Sequence, residues 1–275
     1  MEFWRKVLAI LDTSMTRPTD YGWFHLLFWA LTIGTAVLLC VLYKKGVIKN
    51  VRRVVLITAI TVIVLEIYKM INFGFDYESE KITYSFPWSS FPWQFCSTPM
   101  LIGLIAGLTR GKFHSFLCSF LATFAVFAGT AVMVYPGDVF IETIGINIQT
   151  MICHGSMITI GIFLYYTNYV EAKFKTILKA IPVFATCLGI AMILNEIGHR
   201  VGLTESHYFN LFYISPYEEG HLPVYSNIQK IVPYPWNLFI YILGFSAAAC
   251  VILLIAMGIK AICRGIKNAK AKKTA

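Results

Sequence analysis

Residues 236–259 read WNLFIYILGFSAAACVILLIAMGI and contain no charged side chain. As an α-helix, which rises about 1.5 Å per residue, this stretch would be roughly 36 Å long, longer than the bilayer's hydrocarbon core of about 30 Å. Because hydrocarbon offers no partner to backbone N–H and C=O groups, a spanning segment must pair them internally, as a helix does. Residues 236–259 therefore predict a transmembrane helix.

Six further apolar stretches resemble this one. The seven predicted spans are residues 23–43, 54–73, 92–108, 115–135, 146–166, 177–197 and 236–259. Of the chain's 275 residues, 57% are hydrophobic and 13% charged, whereas soluble domains carry about 25% charged residues. This composition excludes a soluble enzyme, a disordered tail and, despite the net charge of +9, a nucleic-acid binder. We predict an all-α, polytopic membrane protein, with one seven-helix domain over residues 1–275.

The Lys and Arg residues indicate how these helices are oriented. They concentrate in the loops after the first, third and fifth predicted helices and in the basic tail, residues 260–275. Since cytoplasmic loops carry the excess of positive charge, we expect an external N-terminus and a cytoplasmic C-terminus, in a multi-pass protein of the cell membrane. Residues 1–20 predict a short interfacial segment, with Trp4, Leu8 and Leu11 on one side of a helix.

The seven cysteines do not indicate a disulfide framework or a zinc site. Their number is odd, no CxxC spacing occurs, and all but Cys263 lie in apolar stretches. A cysteine in such a stretch is by default a small buried hydrophobic residue. We expect no metal and no cofactor.

Several polar side chains fall inside the predicted spans, where ionisable groups are costly and mark functional sites by default. Glu66 and Lys69 are three residues apart and share a helix face. The other polar candidates are Gln94, Cys96, His154, Asn195, Glu196 and, just beyond the sixth span, His199. All lie in the predicted outer half of the membrane. They predict a polar cavity that opens outward, which residues 198–235 either cover as a lid or border as an ordinary loop.

These side chains have two interpretations. In the first, Cys96 and His154 form a thiol–imidazole pair, in which the imidazole takes the thiol proton and the thiolate is a nucleophile. In the second, the groups are structural. Glu66 pairs with Lys69, or Lys69 reaches Glu196, while His154 is a satisfied hydrogen-bonding residue and Cys96 a packing residue. Residue types alone leave both interpretations open.

One segment resembles the signature of a known family. Phe91-Pro-Trp-Gln-Phe-Cys96 is similar to the Leu-Pro-Leu-His-Leu-Cys motif of the YwaF-type integral membrane proteins of bacteria. Further similar segments follow in order: Phe127-Ala-Gly-Thr130 before Tyr135-Pro136, Cys153-His154-Gly155, and Tyr208-Phe-Asn210 with Pro216. Vertebrate relatives include an acyltransferase that remodels ether phospholipids through a Cys and a His, and more distant relatives hydrolyse fatty-acid esters with a Thr and a His.

The resemblance implies that Cys96 is the nucleophile and His154 the base. This chain departs from the family pattern twice, because Gln94 replaces a His and Cys153 stands where bacterial members often have the first His of a pair. Both departures leave the implied pair intact. The resemblance also brings Tyr208 and Asn210 into the candidate site.

We therefore predict a membrane acyltransferase or acyl-ester hydrolase that acts on a membrane phospholipid or lysolipid, with no oligomeric state implied. Gln94, Asn195 or backbone amides near Pro92 would stabilise the oxyanion. The alternative is a non-catalytic binder or transporter with a solute or proton path along four ionisable side chains, those of Glu66, Lys69, Glu196 and His199.

Overall fold

The computed structural model describes residues 2–137 and 139–274, so Met1, Asp138 and Ala275 of the predicted 1–275 domain lie outside the described residues. The helices are α1 (Glu2–Leu11), α2 (Trp23–Lys44), α3 (Val51–Gly74), α4 (Thr98–Leu108), α5 (Gly111–Phe120), α6 (Val126–Val134), α7 (Ile144–Tyr166), α8 (Phe174–Arg200), α9 (Leu203–Ser206), α10 (Tyr225–Ile231) and α11 (Trp236–Thr274). A π-helical turn, Leu121–Ala125, joins α5 to α6 in one continuous span. The remaining elements are the strands β1 (Phe75–Asp76) and β2 (Thr83–Tyr84) and the 3-10 turns Trp88–Ser90 and Leu211–Tyr213.

Within the described residues, six helices are long and apolar enough to cross a membrane. They are α2, α3, the α5–α6 span, α7, α8 and α11. Each overlaps one of the apolar stretches that predict spans. The protein is therefore an all-helical, multi-pass membrane protein.

The stretch 92–108 differs from its prediction, because its helix, α4, has only 11 residues. At about 1.5 Å per residue it is roughly 16 Å long, about half the thickness of the hydrocarbon core. Pro99 lies in the first turn of α4, where a residue without an N–H is tolerated, and residues 91–97 form turns instead of helix. Cys96 consequently lies in a turn at the start of α4.

The most buried part of the bundle is formed by α7 and the α5–α6 span. Helix α7 contacts α2, α3, α6 and the π-helical turn. Helix α2, in contrast, exposes a row of leucines that includes Leu27, Leu31 and Leu38, as expected of a helix face in contact with lipid. Side chains of α7 therefore lie at the centre of the molecule.

We give names to the two ends of the bundle. The loop end is the end at which α3 and α8 end and α4 and α7 begin. The tail end is the opposite end, at which α4 and α7 end. The connection between α9 and α10 does not stay on the surface, because six of its residues 209–215 are buried at the loop end, and residue 213 is partly buried. We call residues 209–215 the inserted loop. Non-helical backbone at membrane depth is tolerated only where protein surrounds it.

The N-terminal segment contains the helix α1, on which Trp4, Leu8 and Leu11 share a face by their spacing. Leu8 packs against the protein, whereas Trp4 is 61% exposed. The Asp12 carboxylate, just after α1, fixes the segment because it accepts hydrogen bonds from Asn72, Tyr77 and Thr143. Asp12 therefore holds the end of α1 against the end of α3 and the residue before α7.

Candidate functional site

Glu66 and Lys69 form an ion pair on α3, with Glu66 Oε1 2.6 Å from Lys69 Nζ. The Glu66 side chain is 4% exposed and that of Lys69 18%. The spacing of three residues places both groups on one face of the helix. A carboxylate this deeply buried needs a charged or hydrogen-bonding partner, and Lys69 is the nearest.

Gln149 of α7 joins this ion pair to the centre of the bundle. Its Nε2 donates to Glu66 Oε2 at 3.0 Å, and its Oε1 accepts a hydrogen bond from Thr150 Oγ1 at 3.3 Å. Gln149 is not among the candidates from the sequence. The signal that would have identified it is an amide inside a predicted span, four residues before Cys153 and thus on the same helix face.

His154 is held in one orientation by the helix that carries it. Its Nδ1 lies 2.7 Å from the carbonyl oxygen of Thr150, and because a carbonyl only accepts hydrogen bonds, the ring proton is on Nδ1. In the neutral ring Nε2 is then an acceptor with a free lone pair. It is buried and has no hydrogen-bond partner among the described residues.

Cys96 lies in the turn before α4 and is half-buried. Its sulfur is close to the backbone N–H groups of Cys96 itself and of Ser97, at the end of the helix that carries partial positive charge. Cys153 of α7 contacts the same turn, with its Sγ 3.9 Å from the Cys96 carbonyl oxygen. No hydrogen bond joins the Cys96 thiol to His154 in the part of the chain that the structure describes.

Lys69 is the group that these side chains have in common. Its ammonium interacts electrostatically with Cys96, Cys153 and His154. The structure thus brings together six side chains, which we call the polar cluster: Glu66, Lys69, Cys96, Gln149, Cys153 and His154. Four of the six are candidates from the sequence, and Gln149 and Cys153 complete the set.

Gln94 and Asn195 hold the inserted loop. The Gln94 side-chain amide accepts a hydrogen bond from Phe212 N at 2.9 Å and donates one to Asn210 O at 3.0 Å. The amide of Asn195 pairs with both backbone groups of Leu211, at 2.8 and 3.0 Å. Each of these two side-chain amides therefore donates one hydrogen bond through its nitrogen and accepts one through its oxygen. Peptide groups of a buried loop need such partners, since each unpaired group costs about 1–3 kcal/mol.

The remaining candidates lie away from the polar cluster. The side chain of Asn210 accepts a hydrogen bond from Ser215 N, inside the inserted loop. Tyr208 donates to the Glu219 carbonyl. Among the described residues, no hydrogen bond joins either side chain to Cys96 or His154.

Glu196 and His199 form a separate group at the rim of the loop end. Glu196 binds Arg200 and Tyr217 at 2.6 Å each, and the His199 ring stacks on Tyr217 with ring centroids 3.6 Å apart. The hydrogen bond to Glu196 raises the pKa of Tyr217. The charged partner of Glu196 is therefore Arg200, while Lys69 pairs with Glu66.

A second thiol–imidazole contact lies in the α5 helix and was missed from the sequence. Cys118 Sγ is 3.4 Å from Nε2 of His114, a contact that the spacing of four residues could have indicated. Both nitrogens of His114 are already engaged, by Ala106 O and by the Tyr169 hydroxyl, each at 2.7 Å. This imidazole has no free lone pair and is a poor candidate for a general base.

Within the described residues, no group of three or more His, Cys, Asp or Glu side chains is arranged to hold a metal ion. The side chains of the polar cluster include a thiol that could act as a nucleophile and an imidazole that could transfer a proton.

Comparison with known proteins agrees with this membrane architecture. The sequence model of the TMEM164 family matches residues 20–257, a range that contains the whole polar cluster and the inserted loop. No curated protein and no solved structure matches the chain. Because the matched range covers most of its 275 residues, the chain belongs to the TMEM164 family.

Proposed function

We propose that this protein is a membrane acyltransferase or acyl-ester hydrolase in which Cys96 is the nucleophile and His154 the general base. The observation that carries the proposal is the buried, unpartnered Nε2 of His154, whose lone pair is made available by the hydrogen bond from Nδ1 to Thr150. A base needs such a lone pair and a fixed tautomer. The similarity of residues 91–96 to a Cys-containing signature supports the same assignment.

The proposed reaction has two steps. His154 Nε2 takes the proton of the Cys96 thiol, and the thiolate attacks the carbonyl carbon of a phospholipid ester. The ester C–O bond breaks, His154 gives its proton to the leaving alkoxide, and a lysolipid departs from the acyl-thioester. A lysolipid hydroxyl or water, deprotonated by His154, then attacks the thioester carbonyl. The C–S bond breaks and the sulfur regains its proton.

For the first step the thiol and Nε2 must meet in the substrate complex, because catalytic hydrogen bonds often tighten only when substrate is bound. The Lys69 ammonium and the N-terminal end of α4 would partly offset the cost of burying a thiolate at Cys96. The backbone N–H of Cys96 lies beside the sulfur and would donate to the oxyanion. The N–H of Ser97 already donates to the Gln94 carbonyl oxygen at 3.0 Å, and the side-chain amides of Gln94 and Asn195 already bind the inserted loop.

The other candidate residues receive supporting roles. Gln94, Asn195 and Asn210 would hold the inserted loop beside the Cys96 turn. Glu196, His199 and Tyr208, at the loop end, would contact the headgroup of the lipid. We further propose that the single domain crosses the cell membrane seven times, with α4 as the short third crossing. The N-terminus would be external and the basic tail cytoplasmic, where it lies near anionic lipid.

The test is acyl transfer by the purified protein in nanodiscs, with a phospholipid that carries a labelled acyl chain and an unlabelled lysolipid. Cys96→Ala should abolish both transfer and a hydroxylamine-sensitive acyl adduct, which mass spectrometry would place on Cys96. His154→Ala should lower the rate by about 10²–10⁴-fold. Cys118→Ala is the matched control, because Cys118 also contacts a histidine but lies outside the polar cluster. Transfer that survives Cys96→Ala would refute Cys96 as the nucleophile, and a lack of transfer by the wild type would favour the binder or transporter.

A further inference from the structure

Cys96 and Cys153 are neighbouring thiols, and the proposed reaction uses only the first of them. Both are free in the structure. Cys153 Sγ lies 3.9 Å from the carbonyl oxygen of Cys96, and the two thiols interact electrostatically. A carbonyl oxygen is about 2.4 Å from its own Cα by standard bond lengths, so the Cys153 sulfur lies within roughly 6.3 Å of the Cys96 Cα. The fold thus brings together two thiols that are 57 residues apart in sequence.

The two thiols differ in how firmly their backbone is held. Cys153 is in the middle of α7 and 3% exposed. Cys96 is half-buried and belongs to residues 91–97, which form turns. Rotation about χ1 carries each sulfur around its own Cα, and the turn can shift toward α7 without the loss of a helical hydrogen bond. A covalent link between the sulfurs therefore requires movement on the Cys96 side only.

A small cavity borders the same contact. Its volume is about 30 Å³, and its walls include Pro99 and Met100 of α4 and Cys153 and Ser156 of α7. A cavity of this size holds about one or two water molecules, at roughly 10–15 Å³ each. It therefore leaves room for the Cys153 thiol to rotate and for a water molecule released beside it.

We propose that Cys96 and Cys153 form a disulfide when a hydroperoxide reaches the site, with Cys96 as the thiol that is oxidised first and Cys153 as the resolving thiol. These roles follow from exposure, because the oxidant meets the half-buried sulfur before the buried one. In the proposed topology the loop end is external, and disulfides persist on that side of the membrane. The effect on activity rests on the proposed function, since the disulfide reversibly removes its nucleophile.

The oxidation has two steps. The Cys96 sulfur, as a thiolate, attacks one oxygen of the hydroperoxide ROOH. The O–O bond breaks, the alkoxide takes up the proton that the thiol released, and Cys96 becomes a sulfenic acid while the oxidant is reduced to the alcohol ROH. The Cys153 sulfur then gives up its proton and attacks the sulfenic sulfur. The S–O bond breaks, the S–S bond forms, and the departing hydroxide leaves with that proton as water.

The test uses the purified, fully reduced protein in nanodiscs, with cumene hydroperoxide as the oxidant. Mass spectrometry of a non-reduced digest should find the peptide of Cys96 joined to that of Cys153, and dithiothreitol should restore both thiols. Cys153→Ala removes the resolving thiol, so that a dimedone adduct of the sulfenic acid on Cys96 should increase by about tenfold. Cys153→Ser replaces it if the alanine variant does not fold. Cys187→Ala is the matched control, because Cys187 is a similarly buried thiol on α8, and it should leave the joined peptides unchanged.

Three results in the oxidised wild type would overturn the proposal: a free Cys96 thiol, a sulfinic acid on Cys96, or a disulfide from Cys96 to a cysteine other than Cys153. The acyl-transfer assay separates this inference from the proposed function. Transfer that is lost on oxidation and regained with dithiothreitol supports both. A disulfide in a protein that shows no transfer before oxidation refutes only the proposed function, whereas Cys96-dependent transfer without the disulfide refutes only the disulfide.

Discussion

The Nδ1 of His154 donates its proton to the carbonyl oxygen of Thr150, one helical turn earlier, over 2.7 Å. A side-chain partner would be removable by mutation, but this acceptor belongs to the backbone of α7. The orientation of the ring therefore depends on the helix itself. Every change at Thr150 that preserves the helix should preserve the tautomer of His154.

The first prediction concerns thiol reactivity. A small neutral thiol reagent should label Cys96 first among the seven cysteines, and His154→Ala should slow this labelling by about tenfold, because a thiolate that loses its cationic partner is less populated. Mass spectrometry of a time course measures each site. Cys118 supplies the internal reference, since it is 1% exposed. A labelling rate at Cys96 that does not respond to His154→Ala would rule out the thiol–imidazole pair.

The second prediction concerns the ion pair of α3. Lys69→Met alone should lower thermal stability more than Lys69→Met combined with Glu66→Gln. The single variant leaves a buried carboxylate without its cation, at a cost of about 3–5 kcal/mol by analogy with buried pairs. In the double variant, Gln149 still has an amide to bind. Thermal unfolding in detergent compares the two proteins, and equal stability would show that the pair is not structural.

The third prediction concerns the inserted loop. Asn195→Ala removes both hydrogen bonds to Leu211 and should destabilise the protein by about 1–3 kcal/mol, because the buried peptide groups lose their partners. Limited proteolysis should then cut faster within residues 207–235 than it does in the wild type. Thr186→Ala on the same helix is the control, as its hydroxyl bonds only within α8. Cleavage at the same rate in both variants would contradict this role for Asn195.

The fourth prediction concerns topology. A tag placed before Met1 should be accessible from outside intact cells, and a reporter fused after Lys273 should be cytoplasmic, because Lys and Arg are retained on the cytoplasmic side. Protease protection and reporter activity measure the two ends separately. Both ends on one side of the membrane would mean that α4 does not complete a crossing.

The long helices can be predicted from the sequence because every segment inside the bilayer must pair its own backbone N–H and C=O groups. Residues 54–73 predict a helix, and the structure has this helix with slightly wider bounds, Val51–Gly74. An apolar stretch of this length can pair its backbone groups inside hydrocarbon only as a helix. The stretch 92–108 fails as a full-length helix for a local reason. Pro99 lies in the first turn of α4, and hydropathy alone does not indicate where a helix must begin.

The candidate site likewise has one part that the sequence predicts and another part that depends on how the helices pack. Helical spacing is enough to place Glu66 beside Lys69. It does not place Gln149 against Glu66, because this contact depends on how α7 is rotated about its own axis and packed against α3. Nor does any local pattern indicate that Gln94 and Asn195 bind Leu211 and Phe212, which are brought to them by the loop that follows α8.

The docking of α1 by Asp12 has a consequence for how the chain is made. Asp12 binds Thr143, which follows it by 131 residues. Synthesis proceeds from the N-terminus at about 5–20 residues per second, so this partner emerges roughly 7–26 s after Asp12 itself. Asn72 and Tyr77, the other two partners of Asp12, are made earlier than Thr143. The contacts of Asp12 should therefore form in stages, first with the end of α3 and the segment after it, and last with Thr143 once the chain has reached the start of α7.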